Sequence, residues 1–188
     1  MVASKPEYTT RIYNQNPNGF QLGINTGGSF ASANQHARSF QADMLTFVEP
    51  NLDMSKPSVR SKVCSVVHKT SKSCHVQMAS SPIPAMREYK PGGTISILRD
   101  NIVSRRVDQG SDSMGRWSFH SLKCKNERNI TFVTAYQPCM GNPTKDGRMT
   151  VINQQYSLLL KEKRHKPEKV RHHFIQDLKR FLRSRRAM

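Results

Sequence analysis

The stretch that decides the fold is ADMLTFVEPNLD, residues 42–53. Met44 to Val48 is an apolar run without polar alternation, which fits a strand covered on both faces of its sheet. The run ends in a single carboxylate, Glu49, followed at once by Pro50 and Asn51. Ligands gather at the carboxyl ends of strands in layered α/β proteins, so a glutamate there is a candidate metal ligand. Magnesium and manganese take oxygen donors and keep several waters, and either suits one carboxylate. A loop-entry glutamate bonded to its own turn is the alternative reading.

Upstream, FQLGIN (20–25) reads as a strand that ends in Asn25, just before Gly27 and Gly28. An amide at that place can orient a carboxylate or a phosphate oxygen, although asparagine also suits turns in its own right. ASANQHARSFQ (31–41) puts Ala33, Ala37 and Phe40 on one helical face. Residues 1–19 are polar and rich in Asn and Pro, and read as a flexible arm.

Downstream, NLDMSKPSVRSKV reads as a loop with at most a turn of helix, and CSVVH and CHVQMA as two short strands. GTISIL (93–98) and NIVSRRV (101–107) read as strands joined by a hairpin turn, and DQGSDSMG (108–115) as a loop. RWSFHSLKC and NITFVTAY form an antiparallel hairpin. Trp117, Phe119 and Ser121 share one side of it; Ser118, His120 and Leu122 share the other. Its returning strand closes on Tyr136, whose phenol can donate to a phosphate, with aromatic packing at a sheet edge as the alternative.

The last quarter changes to helical spacing, with Val170, Phe174, Leu178 and Leu182 on one stripe. The cluster Lys179, Arg180, Arg183, Arg185 and Arg186 is a candidate nucleic-acid contact. It also reads as a nuclear-import patch, which implies an intracellular, nuclear location. A solvated helix end, favoured by the helix dipole, is the other reading.

A chain of 188 residues fits one domain, and its 36% hydrophobic content is low for a globular protein. No run approaches the roughly 18 apolar residues of a membrane span, and the N-terminus lacks the apolar core of a secretory signal. Neither a membrane partner nor export is expected. The four cysteines form no C-x-x-C pair, and their spacing to His68 and His75 matches no common zinc site. Free thiols in a reducing compartment follow. The net charge of +17 points to a polyanionic partner, DNA or RNA first. One tryptophan is sparse for a dedicated single-strand binder.

Several of these segments resemble one family in order. LGINTGG (22–28) resembles the opening strand, Asn and turn of the endonuclease/exonuclease/phosphatase superfamily, the DNase I-like fold. ADMLTFVEPNLD resembles its second strand, with Val-Glu-Pro where Gln-Glu-Thr is usual. YKPGGTISIL (89–98) resembles the glycine-pair strand of the retrotransposon branch, and GSDSMGRWSFHSLKCKNERNITFVTAYQPC (110–139) resembles its Gly-Arg-Trp hairpin and closing Ala-Tyr-x-Pro-Cys. The resemblance implies Mg²⁺-dependent phosphodiester hydrolysis. Glu49 would bind the metal, Asn25 would support the phosphate and metal region, and Tyr136 would contact the scissile phosphate.

The family pattern continues with a strand ending in Asp-x-Asn and a later Asp-His pair, and neither is present here. Asp177 sits on the helical stripe, and His165, His172 and His173 have no Asp directly before them. The expectation is a layered α+β domain, a β-sandwich with helices of the DNase I-like type. Its sheets are mixed and mostly antiparallel, and it is incomplete, with more strand than cover. Residues 1–19 would form the arm, 20–182 the partial domain and 183–188 a basic tail. A longer reading frame or a partner chain would complete it, and the lone chain would cleave little. A non-catalytic basic nucleic-acid-binding protein is the competing function.

Overall fold

The computed structural model describes residues 10–17, 19–20, 28–85, 89–125, 128–139, 141–143 and 150–186. The chain runs β1 (Ile12–Gln15), α1 (Ser29–Ser39), β2 (Met44–Val48), α2 (Pro57–Thr70), β3 (Cys74–Ala79) and β4 (Thr94–Arg99). A 3-10 segment (Asp100–Arg105) leads to β5 (Arg106–Ser111), then β6 (Trp117–Lys123), β7 (Asn129–Ala135), α3 (Val151–Lys161) and α4 (Val170–Arg186). The result is a mixed α+β fold with two sheets, as expected.

The first sheet has the order β1-β2-β4-β3 and the second β5-β6-β7. Among the described strands only β1 and β2 run parallel, and the other pairings are antiparallel. The expected hairpin forms with Trp117 opposite Ala135 and Lys123 opposite Asn129.

β2 is buried on both faces because each face meets a different layer. Leu45 and Phe47 point outward with Ile95 and Ile97, against Phe30 and Ala37 of α1 and Val59, Val63 and Val67 of α2. Each large side chain buried there contributes about 1.5–3 kcal/mol. Met44 points inward and meets Leu98, Ile102 and Leu122.

The rest of the layer between the sheets is polar. Thr94 and Ser96 of β4 face Ser118 of β6, with Oγ separations of 2.9 and 3.2 Å. His120 of β6 meets the Ser96 carbonyl at 3.3 Å and lies edge-on to His75 of β3, ring centres 5.6 Å apart.

Three expectations need correction. Residues 57–70, read as loop and strand, are α2: Pro57 sits at its start, and Val59, Val63 and Val67 recur every fourth residue on its buried face. NIVSRRV is a 3-10 turn followed by β5, which takes in the stretch read as a loop. Residues 12–15, placed in the arm, form β1, held in register by Ile12 opposite Met44. The strand expected at 20–25 lies outside the described residues, apart from Phe20, which is buried beside Phe30 and Phe47.

Cover is also better than expected. α4 closes the outer face of the second sheet, with Phe174 and Phe181 against Trp117 and Phe181 against Phe119. Its buried stripe drifts from the one expected. Val170 and Phe174 are buried, but Leu182 is 42% exposed, and Phe181 and Arg185 face the sheet instead. Residues 183–186, placed in a tail, belong to this helix.

Candidate functional site

Glu49 leaves β2 in the left-handed region, with φ +57°, and Asn51 follows with φ +54°. That backbone is uncommon for a residue with a Cβ. Neighbouring main chain holds it. Glu49 N donates to Gly93 O at 3.1 Å, Asn51 N to Gly92 O at 3.2 Å, and Gly92 N to Asn51 Oδ1 at 2.7 Å. Gly92 and Gly93 have φ +88° and +85°, and a Cβ on Gly93 would stand 2.8 Å from Ala79 O and 2.9 Å from Met54 Cε. The glycine pair is what lets the two turns interlock.

A buried ion pair lies under the turn. Lys90, 1% exposed, donates from Nζ to Asp53 Oδ1 at 3.0 Å and also to the carbonyl of Ser81. Burial alone would raise the Asp53 carboxyl. Bonds from Ser55, Lys90 and Ala85, with the Lys90 charge, outweigh it and bring the group below its ordinary range. Removing one member of such a pair costs about 3–5 kcal/mol.

Above this base the two sheets meet at one carboxylate. Tyr136, just past β7, donates from its hydroxyl to Glu49 Oε1 at 2.5 Å. Its own backbone N donates to Arg116 O at 2.9 Å, which fixes where the ring starts. Asn16, just past β1, donates from Nδ2 to Glu49 Oε2 at 3.0 Å. Burial first, then the bond and charge of Glu49, push the Tyr136 phenol far above its ordinary value. Tyr136 therefore stays a donor across the physiological range.

The sequence reading thus joined two residues that the fold does bring together. Asn25, its third, lies outside the described residues. Asn16 was missed, since an asparagine in NQNPNG carries no signal beyond turn chemistry.

Among the described residues no group of three or more His, Cys, Asp or Glu side chains stands close enough to hold a metal ion. One carboxylate is nevertheless compatible with Mg²⁺, which retains several waters and takes one or two carboxylates plus substrate phosphate. Among the described residues each Glu49 oxygen accepts one bond. A carboxylate has about four lone-pair sites, so acceptor capacity remains. The residues present fit such an ion.

The C-terminal basic cluster divides. Arg185 is not a free cation: it pairs with Asp108 and stacks over Phe119 and Phe181 at 4.4 and 5.2 Å. Arg180 lies 3.7 Å from Asp177 but its side chain is 74% exposed. Lys179 and Arg183 are exposed, and the side chain of Arg186 lies outside the described residues. Nearer Tyr136, Arg171 donates to Gln137 Oε1 at 3.0 Å.

No family model matches the chain, and no curated protein matches it significantly. Among solved structures it is similar to the crystal structure of an endonuclease/exonuclease/phosphatase from Beutenbergia cavernae DSM 12333. The identity is 8% and the TM-score 0.40, over 80% of this chain and 42% of that one. The chain spans less than half the length of that protein.

Proposed function

We propose that this chain carries the glutamate and tyrosine side of an endonuclease/exonuclease/phosphatase-type site of the retrotransposon branch. Its family chemistry would be Mg²⁺-dependent hydrolysis of nucleic-acid phosphodiesters. The convergence of Glu49 and Tyr136 supports it above all. They are 87 residues apart in sequence, come from different sheets, and meet at 2.5 Å.

Glu49 would hold the metal, and Asn25 of the LGINTGG motif would support the phosphate and metal region. Magnesium, when bound, supplies a Lewis acid at a phosphoryl oxygen and neutralises developing charge. Asn16 and Tyr136 fix the carboxylate's orientation. Tyr136, whose phenol is held well above its ordinary value, would turn its hydroxyl from Glu49 to a phosphate oxygen when one arrives. The net charge of +17 draws DNA or RNA to the surface, with Lys179, Arg180 and Arg183 as its exposed contacts on α4.

Among the described residues no group of three or more His, Cys, Asp or Glu gathers at Glu49, and the sequence lacks the Asp-x-Asn and Asp-His motifs, so the lone chain is expected to cleave little. A partner chain completing the fold would add its strand at β7. The free edge of β7 and the inner face of β1 border an open cleft of about 320 Å³, lined by Ile12, Met44, Thr46 and Phe132.

The test has two readouts. Titrating Mg²⁺ should raise the thermal midpoint of the native chain and leave Glu49→Gln unmoved. Equal shifts in both would remove Glu49 from the metal site. Nicking of supercoiled DNA should stay near background, and robust Glu49-dependent nicking would show the site to be sufficient without further residues.

A further inference from the structure

A second charged recess lies at the other end of β4. Glu49 adjoins Thr94, the first residue of that strand, and Arg99 is its last, about 17 Å away at ~3.3 Å per residue. There the ends of α1 and α2 and the start of the 3-10 segment enclose a cleft of about 330 Å³. Arg38, Lys69, Lys72 and Arg99 line it with His68, and Asp100 is the one carboxylate in its lining.

Arg99 is the unusual member. It is 2% exposed, yet its hydrogen-bond acceptors are neutral: the carbonyl and side-chain oxygen of Asn34 and, at 3.5 Å, the hydroxyl of Thr70. Its Nε is buried with no partner. None of the ion pairs among the described residues engages Arg38, Lys69, Lys72 or Arg99. A buried cation that makes no ion pair is costly, and close cations of like sign add to the cost. Burial, with repulsion from Arg38, lowers the Arg99 pKa from its ordinary value, and Asp100 offsets only part of that.

Helix ends account for some of this charge. α1 and α2 both finish here, and their last carbonyls favour cations. Arg38 donates to the Thr70 carbonyl at 2.6 Å, and Lys69 lies in the last turn of α2. Lys72 and Arg99 have no such role: Lys72 lies beyond the helix and Arg99 belongs to a strand. The sole carboxylate is itself engaged, since Asp100 Oδ1 accepts from Ser71 Oγ at 3.1 Å.

We propose that this recess binds a phosphate group. A phosphate brings at least one negative charge and several acceptor oxygens spread over a tetrahedron, which suit a cluster of lysine and arginine donors better than a flat carboxylate does. The group would come either as inorganic phosphate or as a phosphate of a nucleic-acid backbone. The site is separate from Glu49 and does not depend on the catalytic reading.

The experiment is thermal unfolding of the full chain with inorganic phosphate titrated against sodium chloride at matched ionic strength. Phosphate should raise the midpoint by about 3 °C beyond chloride. The double variant Lys69→Ala/Lys72→Ala changes two exposed side chains and should lose that increment relative to its own baseline, while Glu49→Gln should keep it. A second arm measures a fluorescent oligodeoxynucleotide by anisotropy. If inorganic phosphate gives no increment but the double variant binds the oligonucleotide about tenfold more weakly than the parent, the source is a nucleic-acid backbone. If the double variant matches the parent in both arms, the proposal is overturned.

Discussion

Arg116, at the mouth of the second sheet, donates from Nη1 to Asp177 Oδ2 of α4 at 3.0 Å. The same guanidinium grips Asp112 through Nε at 2.7 Å and Nη2 at 2.9 Å, and lies 4.6 Å from the Trp117 ring centre. Asp177 in turn accepts from Arg164 Nη2 with both oxygens at 2.9 Å. The aspartate therefore docks α4 and is not free to act on a substrate.

Because Arg116 is 3% exposed, its loss would strand the Asp112 carboxylate in a dry setting, while Asp177 keeps Arg164. Arg116→Lys keeps the charge but cannot fork to Asp112 while reaching Asp177. It is expected to cost about 3 kcal/mol or more, read as a lower urea midpoint. A change of under ~1 kcal/mol would mean that the network is dispensable.

Tyr136→Phe removes the hydroxyl that holds Glu49. The bond is charge-assisted but partly open to solvent, so the expected loss is about 1 kcal/mol. Paired with Glu49→Gln in a double-mutant cycle, it should show coupling of roughly 1 kcal/mol, and strictly additive losses would mean that the two side chains do not interact in solution.

The layer between the sheets should make the fold acid-sensitive. Burial, with the charges of His75 and Arg106, brings the His120 pKa down from 6.5 to about 4, although the Ser96 carbonyl pulls the other way. Burial, with Arg106, lowers His75 as well. The unfolded chain binds these protons first. Stability is therefore full above pH 6.5 and declines as pH falls toward about 4. For His120 the decline is about 3 kcal/mol. Urea midpoints across this window should fall for the parent and flatten for His120→Gln. A flat parent profile would mean that His120 is not buried as a neutral ring.

What the sequence showed follows from which signals were strong. The run 44–48 and the hairpin 117–135 were legible because burial and alternation both appear in the residues themselves. Glu49 and Tyr136 were legible because each closes such a strand. α2 was misread because its valines favour strands in isolation, whereas the four-residue recurrence of Val59, Val63 and Val67 is a helical signal. β5, Arg-Val-Asp-Gln-Gly-Ser, carries little hydrophobic pattern, and its pairing to β6 decides its form. The ion pair of Lys90 with Asp53 was not legible, since two charged residues 37 apart announce nothing until the fold joins them.

Gly115 offers a sharp test of backbone packing. With φ +76°, a Cβ there would lie 2.1 Å from Ser80 C and 2.2 Å from Ser81 N, both main-chain atoms that cannot swing away. Strain and overpacking together give Gly115→Ala a cost above ~3 kcal/mol. Gly141, with nothing within 4 Å of its Cβ position, should accept alanine with little change. Similar urea midpoints for the two variants would contradict the close approach of residues 80–81 to Gly115.

The interlocked turns have a consequence for birth on the ribosome. The turn at Glu49 and Asn51 depends on hydrogen bonds with Lys90, Gly92 and Gly93, which emerge some 41 residues later. At ~5–20 residues per second, that is a wait of roughly 2–8 seconds. Until then the carboxylate rides on an unfinished loop. Tyr136 arrives later still, so its bond to Glu49 forms only after every strand of the first sheet has been made.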